Sequence, residues 1–143
     1  MSYVKEERTG WRDEKLSARH RLWGWDCPAI DIDFLMVEYN HGKPSALVEY
    51  KNEHAEPQYR THPSYQTLIA LGDGSGVPVI AARYADDFSW WKITPLNKAA
   101  YDIIPEQKKV SEEEWVALLY NLRGLPMPNA IRSAIRGSSS EIF

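Results

Sequence analysis

The sequence predicts an α/β fold, a single domain built on a central mixed β-sheet of about four strands with helices packed against it. Three observations carry this expectation. Short apolar runs rich in β-branched residues alternate with longer segments of helical periodicity. Their order is helix, strand, strand, helix, strand, strand, helix, which a sheet flanked by helices accommodates. A length of 143 residues suits one domain able to bury a core without disulfides or a structural metal.

Trp11 to Leu22 reads as the first helix, with Trp11, Ala18 and Leu22 on one face. Arg8, Arg12, Lys15 and Arg19 form a basic stripe beside that face. After Trp23-Gly24-Trp25 and a bend at Pro28, Ile30 to Tyr39 is a strand. Asn40-His41-Gly42-Lys43 supplies turn chemistry, and Ser45 to Lys51 is a second strand, so the pair reads as a hairpin. Residues 52–62 are polar and irregular. Pro63 fits the first position of a helix through Leu71, with Gly72 as its stop. Val77 to Tyr84 and Ser89 to Leu96 are the third and fourth strands, across an Asp86-Asp87 turn. Ser111-Glu112-Glu113-Glu114 is a capping box that opens a helix ending before Gly124. Beyond Pro126 and Pro128 a short basic helix occupies Asn129 to Arg136. The domain is expected to span 1–137, with a flexible tail over 138–143.

Composition narrows the function. With 43% hydrophobic and 26% charged residues the chain reads as a soluble globular domain. The net charge of -3 gives no global attraction to nucleic acid, so any such binding must rest on a local patch. The single cysteine, Cys27, cannot form an internal disulfide, which fits a reducing compartment. No secretory h-region and no apolar run of membrane-spanning length is present, so a cytoplasmic protein with no membrane partner is expected. His20, His41, His54 and His62 show no zinc spacing. Gly72-Asp73-Gly74-Ser75-Gly76 follows a helix and precedes a strand, the reverse of the order that cradles phosphate.

The chemistry concentrates in the hairpin. Side chains alternate along a strand, so Asp31 and Asp33 share one face of the first strand, and Glu49 and Lys51 share one face of the second. With the turn near His41, Asp33 falls opposite Glu49 and Asp31 opposite Lys51. Charges at the end of otherwise apolar strands are costly unless they are paired or hold a metal. One reading is a set of solvated cross-strand pairs. The other is a site for Mg²⁺ (or Mn²⁺), which takes one or two carboxylates and leaves its remaining positions to water and phosphate oxygens.

An acidic residue, a turn, an apolar strand ending in Glu-x-Lys, then a helix and a strand together resemble the PD-(D/E)XK nuclease superfamily. Asp33 matches its first acid, and Glu49-Tyr50-Lys51 its E-x-K. The chain departs at the "PD", since Pro28 is not adjacent to Asp33, and Asp31 competes for the same role. The resemblance covers about two thirds of the chain and implies a restriction-endonuclease-like core. It implies a metal-dependent nuclease hydrolysing phosphodiester bonds of DNA, with Asp33, Glu49 and Asp31 as metal ligands and Lys51 orienting the nucleophile. Glu14 on the first helix and Gln66 on the helix after the motif would be supporting catalytic residues. The small stand-alone format looks like phage or mobile-element members, and a homodimer would follow by analogy. Arg12, Lys15 and Arg19 on the basic stripe, with Arg60 and His62 in the loop after the motif, are the candidate DNA contacts. Trp23, Trp25, Trp90 and Trp91 could stack on bases or fill the core; parity buries one of Trp90 and Trp91 and exposes the other. The alternative function is a catalytically inert nuclease-fold domain that binds nucleic acid or a protein.

Overall fold

The computed structural model describes residues 14–24, 26–30 and 32–140. Two compact units make up the chain, divided between Asp31 and Ile32. The first contains α1 (Glu14–Leu22), where Ser17 is the buried residue and Ala18 and Leu22 are exposed. The expected apolar face is therefore not the buried one, because too few apolar side chains stand on this helix to fix its rotation. Arg8, Trp11, Arg12, Trp25 and Asp31 lie outside the described residues.

The second unit is an α/β domain with one five-stranded mixed sheet in the order β1-β2-β3-β4-β5. Its strands are β1 (Phe34–Glu38), β2 (Lys43–Asn52), β3 (Val79–Tyr84), β4 (Trp91–Pro95) and β5 (Lys108–Val110). All neighbours run antiparallel except β2 and β3, which are parallel and joined by α2 (Pro63–Ser75). The short helix α3 (Lys98–Tyr101) precedes β5; α4 (Glu112–Leu122) and α5 (Asn129–Ser140) follow it.

The hairpin forms where its turn chemistry says it should. Glu38 accepts the Asn40 N–H at 2.8 Å, a single 3₁₀ turn covers Tyr39–His41, and Gly42 takes the left-handed conformation at φ 63°. β1 begins at Phe34 rather than Ile30. At that point the Asp33 carboxylate accepts the Tyr50 N–H (3.0 Å), taking the bond that a continuing ladder would use, and Ile30 and Ile32 stay exposed.

α2 starts as expected, with His62 capping it and Pro63 in its first turn, but it runs through Gly72 to Ser75. Gly72 is buried where the helix meets β3, and a Cβ there would collide with the Val79 side chain. Close packing, rather than a chain reversal, accounts for this glycine, and Gly76 (φ 74°) ends the helix instead. The buried Asn97 locks the region. Its Oδ1 accepts from Val79 N and Ala100 N, and its Nδ2 donates to Val77 O and Asp73 Oδ1, all within 2.9–3.0 Å.

Alternate positions on the strands pack on opposite faces. On one, Val48, Ile80, Ala82, Trp91, Ile93 and Val110 close against Trp115 of α4. Tyr50 joins them with its ring edge-on to Phe34, Trp91 and Trp115, and accepts a hydrogen bond from Trp115 Nε1 at 3.2 Å. Trp91 is the buried member of its pair and Trp90 is half-buried. On the other face, Leu47, Val79 and Leu96 pack on Tyr65 and Leu68 of α2. The Ser111–Glu114 capping box is formed in both directions, at 3.0 and 3.1 Å. α5 runs beyond the expected Arg136 and is tied to α4 by Arg132 and Arg136 on the Glu113 carboxylate.

Candidate active site

The face of the sheet that carries α2 is apolar at Leu47, Val79 and Leu96 and charged toward the C-terminal ends of β2 and β3. The β1–β2 ladder ends at the Phe34–Val48 pair, and just beyond it the Asp33 carboxylate accepts the N–H of Tyr50, the residue between Glu49 and Lys51. Glu49 keeps only 15% of its side-chain surface exposed, and Lys51 Nζ stands 3.9 Å from its Oε1. Asp33, Glu49 and Lys51 are thus gathered at one end of the sheet by the hairpin alone.

Two further residues complete this corner. Tyr65, on the first turn of α2, turns inward with Leu68. Burial pushes its hydroxyl above the ordinary tyrosine range, the Glu49 carboxylate pushes it further, Arg83 pulls it back and Asp33 adds a smaller push. The Tyr65 hydroxyl thus lies within electrostatic reach of Glu49, Arg83 and Asp33. Arg83 pairs with Lys51 across the parallel β2–β3 seam. Its Nη1 donates to the carbonyls of Asn52 and Ala55 at 2.9 and 2.8 Å, which holds the loop after β2 against the sheet.

Of the other sequence candidates, Arg60 and His62 line clefts that Lys51 also borders. Gln66 is exposed and donates to the Arg60 carbonyl at 2.8 Å; its neighbour Tyr65 is the buried residue, and the Glu49 charge helps raise its hydroxyl. Arg60 braces the loop, donating to Pro95 O (2.7 Å), Leu96 O (3.1 Å) and the Tyr101 hydroxyl (2.7 Å). His62 is spent on capping α2, its Nδ1 accepting from Ser64 N. Glu14, Lys15 and Arg19 lie exposed on α1 in the first unit.

A cleft of about 200 Å³ opens beside Lys51, lined by Arg60, Tyr65, Arg83, Lys92 and Gln107 among others, with no carboxylate in its wall. A second polar cluster, absent from the sequence reading, joins the end of β2 to the β3–β4 turn. The ligand atoms of Glu53, His54 and Asp86 lie within 4.8 Å of one another. Its hydrogen bonds explain it as a lock between loops: His54 Nε2 and Asn52 Nδ2 hold Asp86 at 2.8 and 2.7 Å, and Glu53 accepts from Asp86 N at 2.7 Å. These bonds hold the Asp86 carboxyl below its usual range, that of Asn52 having the largest effect.

Tyr65 was open to sequence reasoning through its spacing to Leu68. Arg83 and Lys92 were not, because their alignment with Lys51 depends on a parallel register that a distant helix sets. No helix among the described residues is long and apolar enough to cross a membrane. Comparison with protein-family models, with characterised proteins and with solved structures finds no match for this chain.

Proposed function

We propose that the protein is a metal-dependent nuclease that hydrolyses phosphodiester bonds of DNA. The observation that supports this most is the largely buried Glu49 beside Lys51, with the Asp33 carboxylate bonded to the N–H of the intervening Tyr50, at the charged end of strands that are apolar elsewhere. The donor set is two carboxylates with no sulfur or imidazole among them, which suits a hard, oxygen-preferring dication such as Mg²⁺ (or Mn²⁺). Glu49 is largely buried, and a carboxylate in that position is stabilised by a cation. Asp33 and Glu49 would hold the ion, which when bound supplies an activated water and stabilises charge on the phosphoryl group.

The chain's own groups have separate tasks. Lys51 orients the attacking water or braces the phosphate, its ammonium held on the Glu49 side of the strand. Tyr65, raised further by burial above the already alkaline tyrosine range, would offer its hydroxyl proton to a phosphate oxygen brought into the same corner. Arg83 adds positive charge without neutralising either carboxylate, because its bonds go to carbonyl oxygens.

The test is incubation of the wild type and the Glu49→Ala variant with labelled linear, nicked, single-stranded and branched DNAs in Mg²⁺, Mn²⁺ or EDTA. Cleavage that needs metal and disappears in the variant is expected. An Asp33→Ala or Glu49→Ala protein that cuts at the normal rate, or a folded wild type that cuts nothing, overturns the proposal.

A further inference from the structure

The charged end of the sheet extends well past the carboxylates. Lys51 pairs with Arg83, Arg83 with Lys92, and Lys92 with Lys109, so β2 to β5 each present a cation on the α2 face at the same level. Like charges directly opposite on neighbouring strands destabilise a sheet. Here three such pairs follow one another, about 4.8 Å apart from strand to strand. None of Arg83, Lys92, Lys109 or the adjacent Arg60 forms an ion pair with a described carboxylate. Arg60 and Arg83 spend their donors on carbonyls and a phenol, which fixes the guanidinium groups in place and leaves their charge standing. Lys109 is steadied over the Trp90 ring at 4.5 Å, again without an anion.

A chain whose net charge is -3 thus carries four cations in one line, of which only Lys51 has a described carboxylate beside it, Glu49 at 3.9 Å. The line begins at Lys51 and passes through the cleft walled by Tyr65 and Gln107. At about 200 Å³ the cleft is smaller than an ordinary ligand pocket, and the single file of cations passing through it complements one sugar-phosphate chain. The geometry points to a path for a single strand of nucleic acid across β2 to β5, its successive phosphates on Lys51, Arg83, Lys92 and Lys109. The path takes its direction from the proposed active site and rests on that reading for its starting point. A substrate with a free or unpaired strand follows as the preferred class.

Binding is measured apart from cleavage, by fluorescence anisotropy of a labelled oligodeoxythymidine in EDTA. Lys92→Glu and Lys109→Glu, at exposed positions, are each expected to weaken binding at least about tenfold. The neutral double variant Lys92→Ala/Lys109→Ala should lower the slope of log affinity against log salt by roughly 0.7 per lysine removed. Unchanged affinity in the reversed variants overturns the path, as does a matched duplex that binds equally well. Displacement by polyglutamate as effective as by oligonucleotide would assign the row to an acidic protein instead. A protein that cuts DNA while its binding ignores both lysines loses the path and keeps the nuclease; strand binding through them with no cleavage of any DNA does the reverse.

Discussion

On one face of the sheet Val48, Ile80, Ile93 and Val110 close against Trp115, which is 1% exposed; on the other, the same four strands carry Lys51, Arg83, Lys92 and Lys109 in a row. The alternation of side chains makes both faces from one set of strands and one register. A slip of one residue anywhere in β2 to β5 would bury a cation and expose an aromatic or aliphatic partner, so the dry face protects the register that aligns the charged one. The lesson is that a costly charged row persists because the opposite face can carry the stability.

The contrast is broken most severely from the dry side. Replacing Trp115 with Ala empties the largest buried side chain and removes the donor to Tyr50; a loss of about 3–5 kcal/mol is expected in urea unfolding. Gly72→Ala drives a methyl group into Val79 and should cost about 1–3 kcal/mol by the same measurement, although exposed glycines in helices usually gain from that change. Arg83→Met keeps the volume and removes the donors to the loop after β2; about 1 kcal/mol of stability is expected to go, together with a larger fraction of strand binding. The dry face should therefore report in unfolding alone, and the charged row in binding with a smaller loss of stability.

A smaller effect is read from pH. Burial raises the Tyr50 hydroxyl above its ordinary value, against the hydrogen bond from Trp115, and burial likewise raises Tyr65. A group raised in the folded state contributes stability that is fully present below its unfolded value, near pH 10 for tyrosine, and lost as pH climbs through the folded one. The melting temperature should hover level to about pH 9 and fall above 10. Tyr50→Phe, less stable at neutral pH for want of its hydroxyl, should show a shallower alkaline fall. An equally steep fall would place the loss elsewhere.

What could be read in advance follows the distance over which each feature is decided. Asp33 reaches the Tyr50 N–H, beside Glu49, because a local turn suffices, and the Ser111 box was legible for the same reason. β5 was not: Lys108-Lys109-Val110 has no strand signature of its own and is extended because β4 offers it an edge. Gly72 was misread as a stop because its local cost in a helix is visible in the sequence, while the contact with Val79 that offsets it is not. The row from Lys51 to Lys109 combines three registers, one of them parallel, and no segment of the chain contains that information by itself.

The parallel seam between β2 and β3 also has a consequence in time. β1 with β2, and β3 with β4, are joined by short connections, and hairpins of that kind form within about 1–10 μs. The seam must wait for the loop after β2 and the whole of α2 to settle, a closure with a higher entropic cost. Glu49 and Lys51 stand on one side of it and Arg83 on the other. Arg83 and Lys92 are brought level by a fast-forming hairpin, whereas the alignment of Lys51 with Arg83 depends on the slower closure of the seam.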